Sequence, residues 1–541
     1  MTPPTRVLRL SALLLSPAAL LALGAWLLED ATRAPWPGVA LAGGAVFVAL
    51  LLANPGRLPI PGGVVELTSA RWVDAGPSLV PLSLAQGVTA FLFVWAQLAA
   101  VRELAEMTDL WPPAVVVLVA VGLVMAASTD LSRELLVDAG AVVALAGLVV
   151  PVLAILLVTT PAWPRVWATV AERPRLTFPE GGAWTGEGAP VRARGATDVV
   201  LTFTEDQRVT VLAPGSGHLD SREGSRGRDV PADTELLLRP GDRLVVAPGT
   251  RVRFEPGRRI PGAPASGTDW VSPPESGGDG WSLAGLATTL ALGALGIPGI
   301  HAGLGAGPRG ARVAAGLVVA GAGLALLWGL YAAWLTPEIY VGGVAGVEVY
   351  ELPGRVAALG PLAGPFRILA LGGLAAGGVA SALVVLGGVP RHLPGRSGGS
   401  RMPLIGAGAI GATVAAFSPV GPWAPLLTAF ALAASSLAPA ALLTRWSERV
   451  TPRSLGAGAA VGLLLFSGLT LAALWLHAGP ADAPGPGRLA AALAWPALLA
   501  LPANALVAWL RVSPLGASPG SPLADRLTEL HRADHDATPR R

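Results

Sequence analysis

Two adjacent carboxylates, Glu29 and Asp30, follow directly on the first long apolar run of the chain. A paired acid at a membrane edge is the candidate catalytic feature of the sequence. The competing reading is a solvated interfacial pair that does no chemistry. Other acids group in the same way: Glu103, Glu106 and Asp109 after one apolar run, then Glu338, Glu348 and Glu351 after another. A transferase working at the outer membrane face would need Glu29, Asp30 and the Glu338–Glu351 loop to converge on one pocket.

That loop, LTPEIYVGGVAGVEVYELP at 335–353, is the densest local signal. The three tyrosines of the chain, Tyr331, Tyr340 and Tyr350, lie in or beside it. Ile339 and Val341, then Val347 and Val349, alternate around glycines, which predicts a β-hairpin. Glu338, Tyr340, Glu348, Tyr350 and Glu351 are the candidate interface residues, because tyrosine pairs an apolar ring with a polar tip. The alternative is an aromatic belt at the membrane surface, shared with Trp334 and Trp111.

Other chemistries lack their residues. The chain has no cysteine, so thiolate nucleophiles and Cys-based metal sites are excluded. His218, His301, His392 and His477 form no spaced pair on one helix, and no glycine-rich loop joins a strand to a helix. The sequence therefore predicts no metal, no cofactor and no nucleotide. A formal charge of +3 with no basic stripe gives no footprint for nucleic acid.

The elements that would position these residues are membrane helices. In 541 residues, 52% are hydrophobic and only 13% charged, so the bilayer is the first expected partner. Runs long enough for a bilayer core of about 30 Å fall at 8–28, 37–53, 78–101, 113–128 and 138–160, then at 281–303, 311–335, 366–388, 403–418, 421–443, 456–477 and 488–510. The expected fold is an α-helical multi-pass protein of about twelve spans, with 113–128 and 403–418 the shortest. Arginines concentrate in alternate loops, including Arg57, Arg133, Arg312, Arg391 and Arg445. That bias predicts an inner (cytoplasmic) membrane protein with both termini in the cytoplasm. The expected organisation is helices at 1–163, an extracytoplasmic insert at 164–280, helices at 281–511 and a cytoplasmic tail at 512–541.

The insert reads as a small all-β sandwich or barrel. Candidate strands are Val199–Phe203, Val209–Leu212, Glu235–Leu238, Leu244–Val246 and Arg251–Glu255, with Pro-Gly turns between them. His218–Asp233 reads as a polar loop. Within the insert, Pro240–Phe254 resembles the second motif of cupin-type β-barrels: Pro240-Gly241-Asp242, a strand, then Pro248-Gly249. The resemblance covers about fifteen residues and implies a related barrel. Val252 occupies the place of that family's metal-binding histidine, so its metal chemistry is not implied.

Small residues four apart predict close helix crossings at Gly373 with Gly377, Gly408 with Ala412, and Gly458 with Gly462. The spans carry isolated polar residues, Gln86, Gln97, Ser435, Ser436 and Asn504 among them, and no mid-membrane carboxylate. Such residues are expected to bond between helices. The Glu29-Asp30 pair also resembles the first-loop acids of membrane glycosyltransferases acting on lipid-linked sugars, although the loop here is far shorter. On these grounds the first expected function is a non-catalytic membrane subunit or scaffold, presenting its β domain to other membrane or periplasmic proteins. A permease or flippase for an apolar or amphipathic molecule is the alternative, and an outer-face transferase the second.

Overall fold

The computed structural model describes residues 16–21, 23, 39–46 and 64–68 in part, 76–159 nearly throughout, most of 190–258, then 280–299, 307–335, 339–341, 347–389, 402–418, 421–447, 450–477 and 495–510. It is mostly helical, with one small β domain inserted between helices.

Among the described residues, six helices are long and apolar enough to cross a membrane. In chain order the helices are α1 (Val80–Met107), α2 (Pro112–Ser128) and α3 (Asp130–Thr159). After the insert come α4 (Gly280–Gly296) and α5 (Gly307–Leu335). Two single turns, α6 (Val347–Tyr350) and α7 (Leu352–Arg355), precede α8 (Ala363–Gly387) and α9 (Met402–Ala416). The series ends with α10 (Trp423–Leu432), α11 (Ala438–Trp446), α12 (Pro452–His477) and α13 (Ala497–Leu510). The six spans run along α1, α3, α5, α8, α12 and the continuous α10–α11 segment. α2, α4, α9 and α13 are apolar but shorter. The expected runs at 8–28 and 37–53 are described only in pieces, helical at 17–21 and 42–44.

Large hydrophobic side chains on α2, α3, α9, α12 and α13, such as Leu118, Leu157, Ile410, Leu464 and Trp509, stand exposed. In water such a surface would be an aggregation liability; against lipid it is ordinary.

The insert is a sandwich of two sheets. β6 (Thr234–Leu238), β3 (Gln207–Leu212), β8 (Arg251–Phe254), β1 (Pro190–Ala193) and β9 (Ile339–Val341) form one, in that order. β2 (Val199–Thr202), β7 (Arg243–Val246), β4 (Gly217–Asp220) and β5 (Arg228–Val230) form the other. Alternate residues face inward, as the two-residue period of a strand requires. Phe203, Val209, Val211, Leu238, Leu244, Val246, Val252 and Phe254 make a separate core. The expected strands at 199–203, 209–212, 235–238, 244–246 and 251–255 are all present. His218–Asp233 is not wholly a loop: β4 and β5 pair within it.

Strand β9 comes from the chain after α5, in the membrane part, and pairs parallel with β1: Val191 with Ile339, Arg192 with Tyr340, Ala193 with Val341. Of the helices described between Ala193 and Ile339, α5 is long and apolar enough to cross a membrane and α4 is shorter. The 335–353 segment is not the expected hairpin. Its second arm is the helical turn α6, in which Val349 and Tyr350 are both buried. Successive residues of a strand point to opposite faces and could not both enter one core; a helical turn lets them.

Candidate functional site

The bundle interior contains side-chain amides that meet backbone groups where helices start, stop or break. Gln86, on α1, takes the backbone N–H of Val65 at 3.0 Å and gives its own N–H to the carbonyl of Gly388 at 2.5 Å. Gly388 follows the C-terminus of α8 and lies against Gly299, whose φ of +89° lies in the region glycine favours. Gly299 closes the turn that ends α4. Eleven residues further along α1, Gln97 accepts the N–H of Ala18 at 3.4 Å, in the first turn after Ser16-Pro17. Asn504, on α13, gives its amide N–H groups to the carbonyls of Ser435 at 2.8 Å and Ser436 at 3.1 Å.

The Asn504 contact has a local cause. Pro439 has no N–H to return to the carbonyl of Ser435, four residues earlier. The chain answers with a π-helical turn over Ala433–Leu437, closed by a bond from the Ala438 N–H to the Ala433 carbonyl. Gly458 and Gly462 on α12 leave the room that Asn504 occupies: a methyl group at Gly458 would lie 2.8 Å from the Asn504 backbone oxygen. Ser436 Oγ, Asn504 Oδ1, Gln97 Nε2, Thr89 Oγ1 and Thr289 Oγ1 are buried with no hydrogen-bond partner among the described residues. Of the buried polar side chains in the described helices, none is an acid or a base.

A second feature adjoins the first. α3 and α8 cross through glycine: a methyl at Gly373 would stand 2.8 Å from the Cα of Gly147. Beside this crossing lies a cavity of about 10 Å³, room for one water. Its walls include Pro17, Leu20, Gly147, Gly373 and Gly377, and Tyr350 bounds one side. The Tyr350 hydroxyl donates to the carbonyl of Leu20 at 3.1 Å, and its ring lies 5.1 Å from that of Trp328. Trp328 in turn donates to the carbonyl of Leu148 at 3.0 Å. Burial raises the Tyr350 phenol well above its ordinary value, because the phenolate would lose its water.

Glu29, Asp30, Glu338 and Glu351 lie outside the described residues, so their expected convergence has no geometry here. Tyr340 lies in β9 and Glu348 in α6. A methyl at Gly373, Gly377, Gly458 or Gly462 would meet a neighbouring segment at 3.1 Å or less. At Gly408 nothing among the described residues stands within 4 Å of such a methyl, and Ala412 on the same helix is buried. The small-residue spacing alone does not say which face of α9 meets a neighbour. Val252 is a core residue of the sandwich. His218 pairs with Asp229 at 3.0 Å on the exposed face. Among the described residues no group of histidines and acids could hold a metal.

The sequence matches no known protein family and no curated protein. Among solved structures, the chain is similar to Mhp1, a nucleobase-cation-symport-1 family transporter, in a closed conformation with bromovinylhydantoin bound. The two are 14% identical, with a TM-score of 0.45, over 98% of this chain and 96% of that one.

Proposed function

We propose that the chain is a permease for an uncharged, apolar or amphipathic small molecule. The observation that carries this reading is the set of three buried amides, Gln86, Gln97 and Asn504, each engaged with backbone groups at a helix start, end or π-turn. Backbone groups outside regular helix are costly at membrane depth, and transporters keep them where a cavity or substrate meets them. Free polar atoms on Gln97, Thr89 and Ser436 offer hydrogen bonds to a neutral solute. A buried acid or base, the usual companion of proton relays, is missing among the described helices. The cavity beside Tyr350 has room for one water and none for a solute.

The test is reconstitution in lipid vesicles with three probes: a neutral aromatic amide, a long-chain alcohol and a fluorescent phospholipid analogue. At least one should cross faster than in protein-free vesicles, and Gln97→Leu should slow it about tenfold while the protein still folds. Equal rates for all three with and without protein would end the permease reading.

The small interior cavity also favours a second reading, the scaffold, in which a solid core anchors the sandwich for a partner. Purification in mild detergent separates the two: a stoichiometric partner protein supports the scaffold, a retained neutral lipid or solute the permease. The inner-membrane location, cytoplasmic termini and extracytoplasmic sandwich belong to the same proposal. Cysteine placed at Ser216 of this cysteine-free chain should react with an impermeant thiol reagent in intact spheroplasts.

A further inference from the structure

We infer that the sandwich acts as a latch on the bundle: strand β9 couples the edge of its larger sheet to the Tyr350 plug. The coupling is short at both ends. Leu335 ends α5 and Ile339 begins β9, so four residue steps join a membrane helix to the sheet. From Val341 to Val347, the start of α6, is six steps, at most about 20 Å of extended chain. Three residues further on, Tyr350 is locked between Trp328 and the carbonyl of Leu20.

Neither end is self-sufficient. A three-residue strand has no stability of its own, and among the described residues β9 pairs with β1 alone. α6 is a single turn, too short to persist without the contacts of Val349 and Tyr350. The register of β9 on β1 therefore limits how far α6 can reach. The contacts of Tyr350 fix in turn how far the sandwich can move from the bundle. Tyr350 also bounds the cavity beside Pro17 and Leu20. Displacement of the sandwich, by a ligand or partner on its outer surface, is thereby transmitted to helix 17–21. The coupling stands on strand pairing and the Tyr350 contacts, and holds whether the bundle is a permease or a scaffold.

Hydrogen–deuterium exchange on the full chain in lipid nanodiscs tests it without any substrate. Alternate N–H groups of a strand point to opposite sides. Either Tyr340→Pro or the double variant Ile339→Pro, Val341→Pro thus removes the donors facing β1. In that variant the amides of Val347–Tyr350 should exchange at least about tenfold faster, while Gln207–Leu212 in the sandwich core keeps its protection. Unchanged exchange at Val347–Tyr350 in both variants overturns the latch. As a variant that preserves the pairing, Arg192→Cys with Tyr340→Cys should form a disulfide under mild oxidation and slow exchange at Val347–Tyr350. A pair that stays reduced, or a disulfide with no effect there, overturns it equally.

Discussion

Asn504 donates its side-chain amide to the carbonyl of Ser435 at 2.8 Å, and Ser435 is the residue whose helical donor would have been the missing N–H of Pro439. The defect and its repair lie on different helices, α11 and α13, so each depends on the other. Replacing Asn504 with leucine strands the Ser435 carbonyl and should cost about 0.5–2 kcal/mol, the range for interhelical hydrogen bonds in membranes. Pro439→Ala supplies an N–H that can close the turn locally. In that background the cost of Asn504→Leu should shrink by half or more. Thermal melts of the four proteins in detergent form the double-mutant cycle; an unchanged cost would mean that Asn504 acts through something other than the freed carbonyl.

The glycines separate in the same experimental way. A methyl at Gly373 meets the Gly147 backbone, which cannot swing aside as a flexible side chain could. Gly373→Ala should therefore destabilise by about 1–3 kcal/mol, as overpacking does. Gly408→Ala meets nothing and replaces a poor helix former with the best one. It should be neutral or stabilising by up to about 1 kcal/mol. Melting temperatures that fall equally for both would remove the α3–α8 crossing as a close contact.

The contrast between Gly373 and Gly408 also marks how far the sequence could be read. Apolar run length found the helices, because hydrocarbon imposes that pattern residue by residue. Pro-Gly punctuation found five strands of the sandwich, because a turn such as Pro240-Gly241-Asp242 demands those residues locally. β4, with sequence GHLD, carries no apolar alternation, and its pairing with β5 and β7 is decided by neighbours distant in the chain. The same holds for β9, which reads as half of a local hairpin but pairs with a strand nearly 150 residues earlier. Gln86, Gln97 and Asn504 were visible as polar residues in apolar runs. Which backbone group each one meets depends on where the helices break, and a polar residue in an apolar run does not signal that.

The sandwich offers a check independent of the membrane. Gly241 has φ of +96°, in the turn that carries the chain from β6 to β7. Its N–H donates to the carbonyl of Phe203 at 2.8 Å, and the Asp242 carboxylate takes the N–H of Arg239 at 2.8 Å. Gly241→Val forces a β-branched residue into a strained region and should cost about 1–3 kcal/mol. Asp242→Ala should cost about 1 kcal/mol through the lost turn bond. Exchange protection at Gln207–Leu212 reports both losses, with the valine variant the worse. A valine variant as protected as the parent would mean that the turn is not built this way.

Tyr350 gives the pH test. Its buried phenol is held above the ordinary value of 10.0, so the folded state keeps the proton after the unfolded chain has released it. The sign follows from linkage: the Tyr350 contribution is complete below about pH 10 and declines as pH rises above it, by about 1.4 kcal/mol per unit. Tyr350→Phe removes both the titration and the hydrogen bond to Leu20. At pH 8 the variant should be less stable by about 0.5–1.5 kcal/mol, the worth of one neutral hydrogen bond. Between pH 10 and 11 the gap should close and then reverse, since phenylalanine cannot ionise in the unfolded chain. Other tyrosines titrate in both proteins and cancel in the difference. Melting curves of parent and variant across pH 8–11 decide it: a gap that stays constant with pH would place the Tyr350 hydroxyl in water, with the helix at 17–21 held by something else.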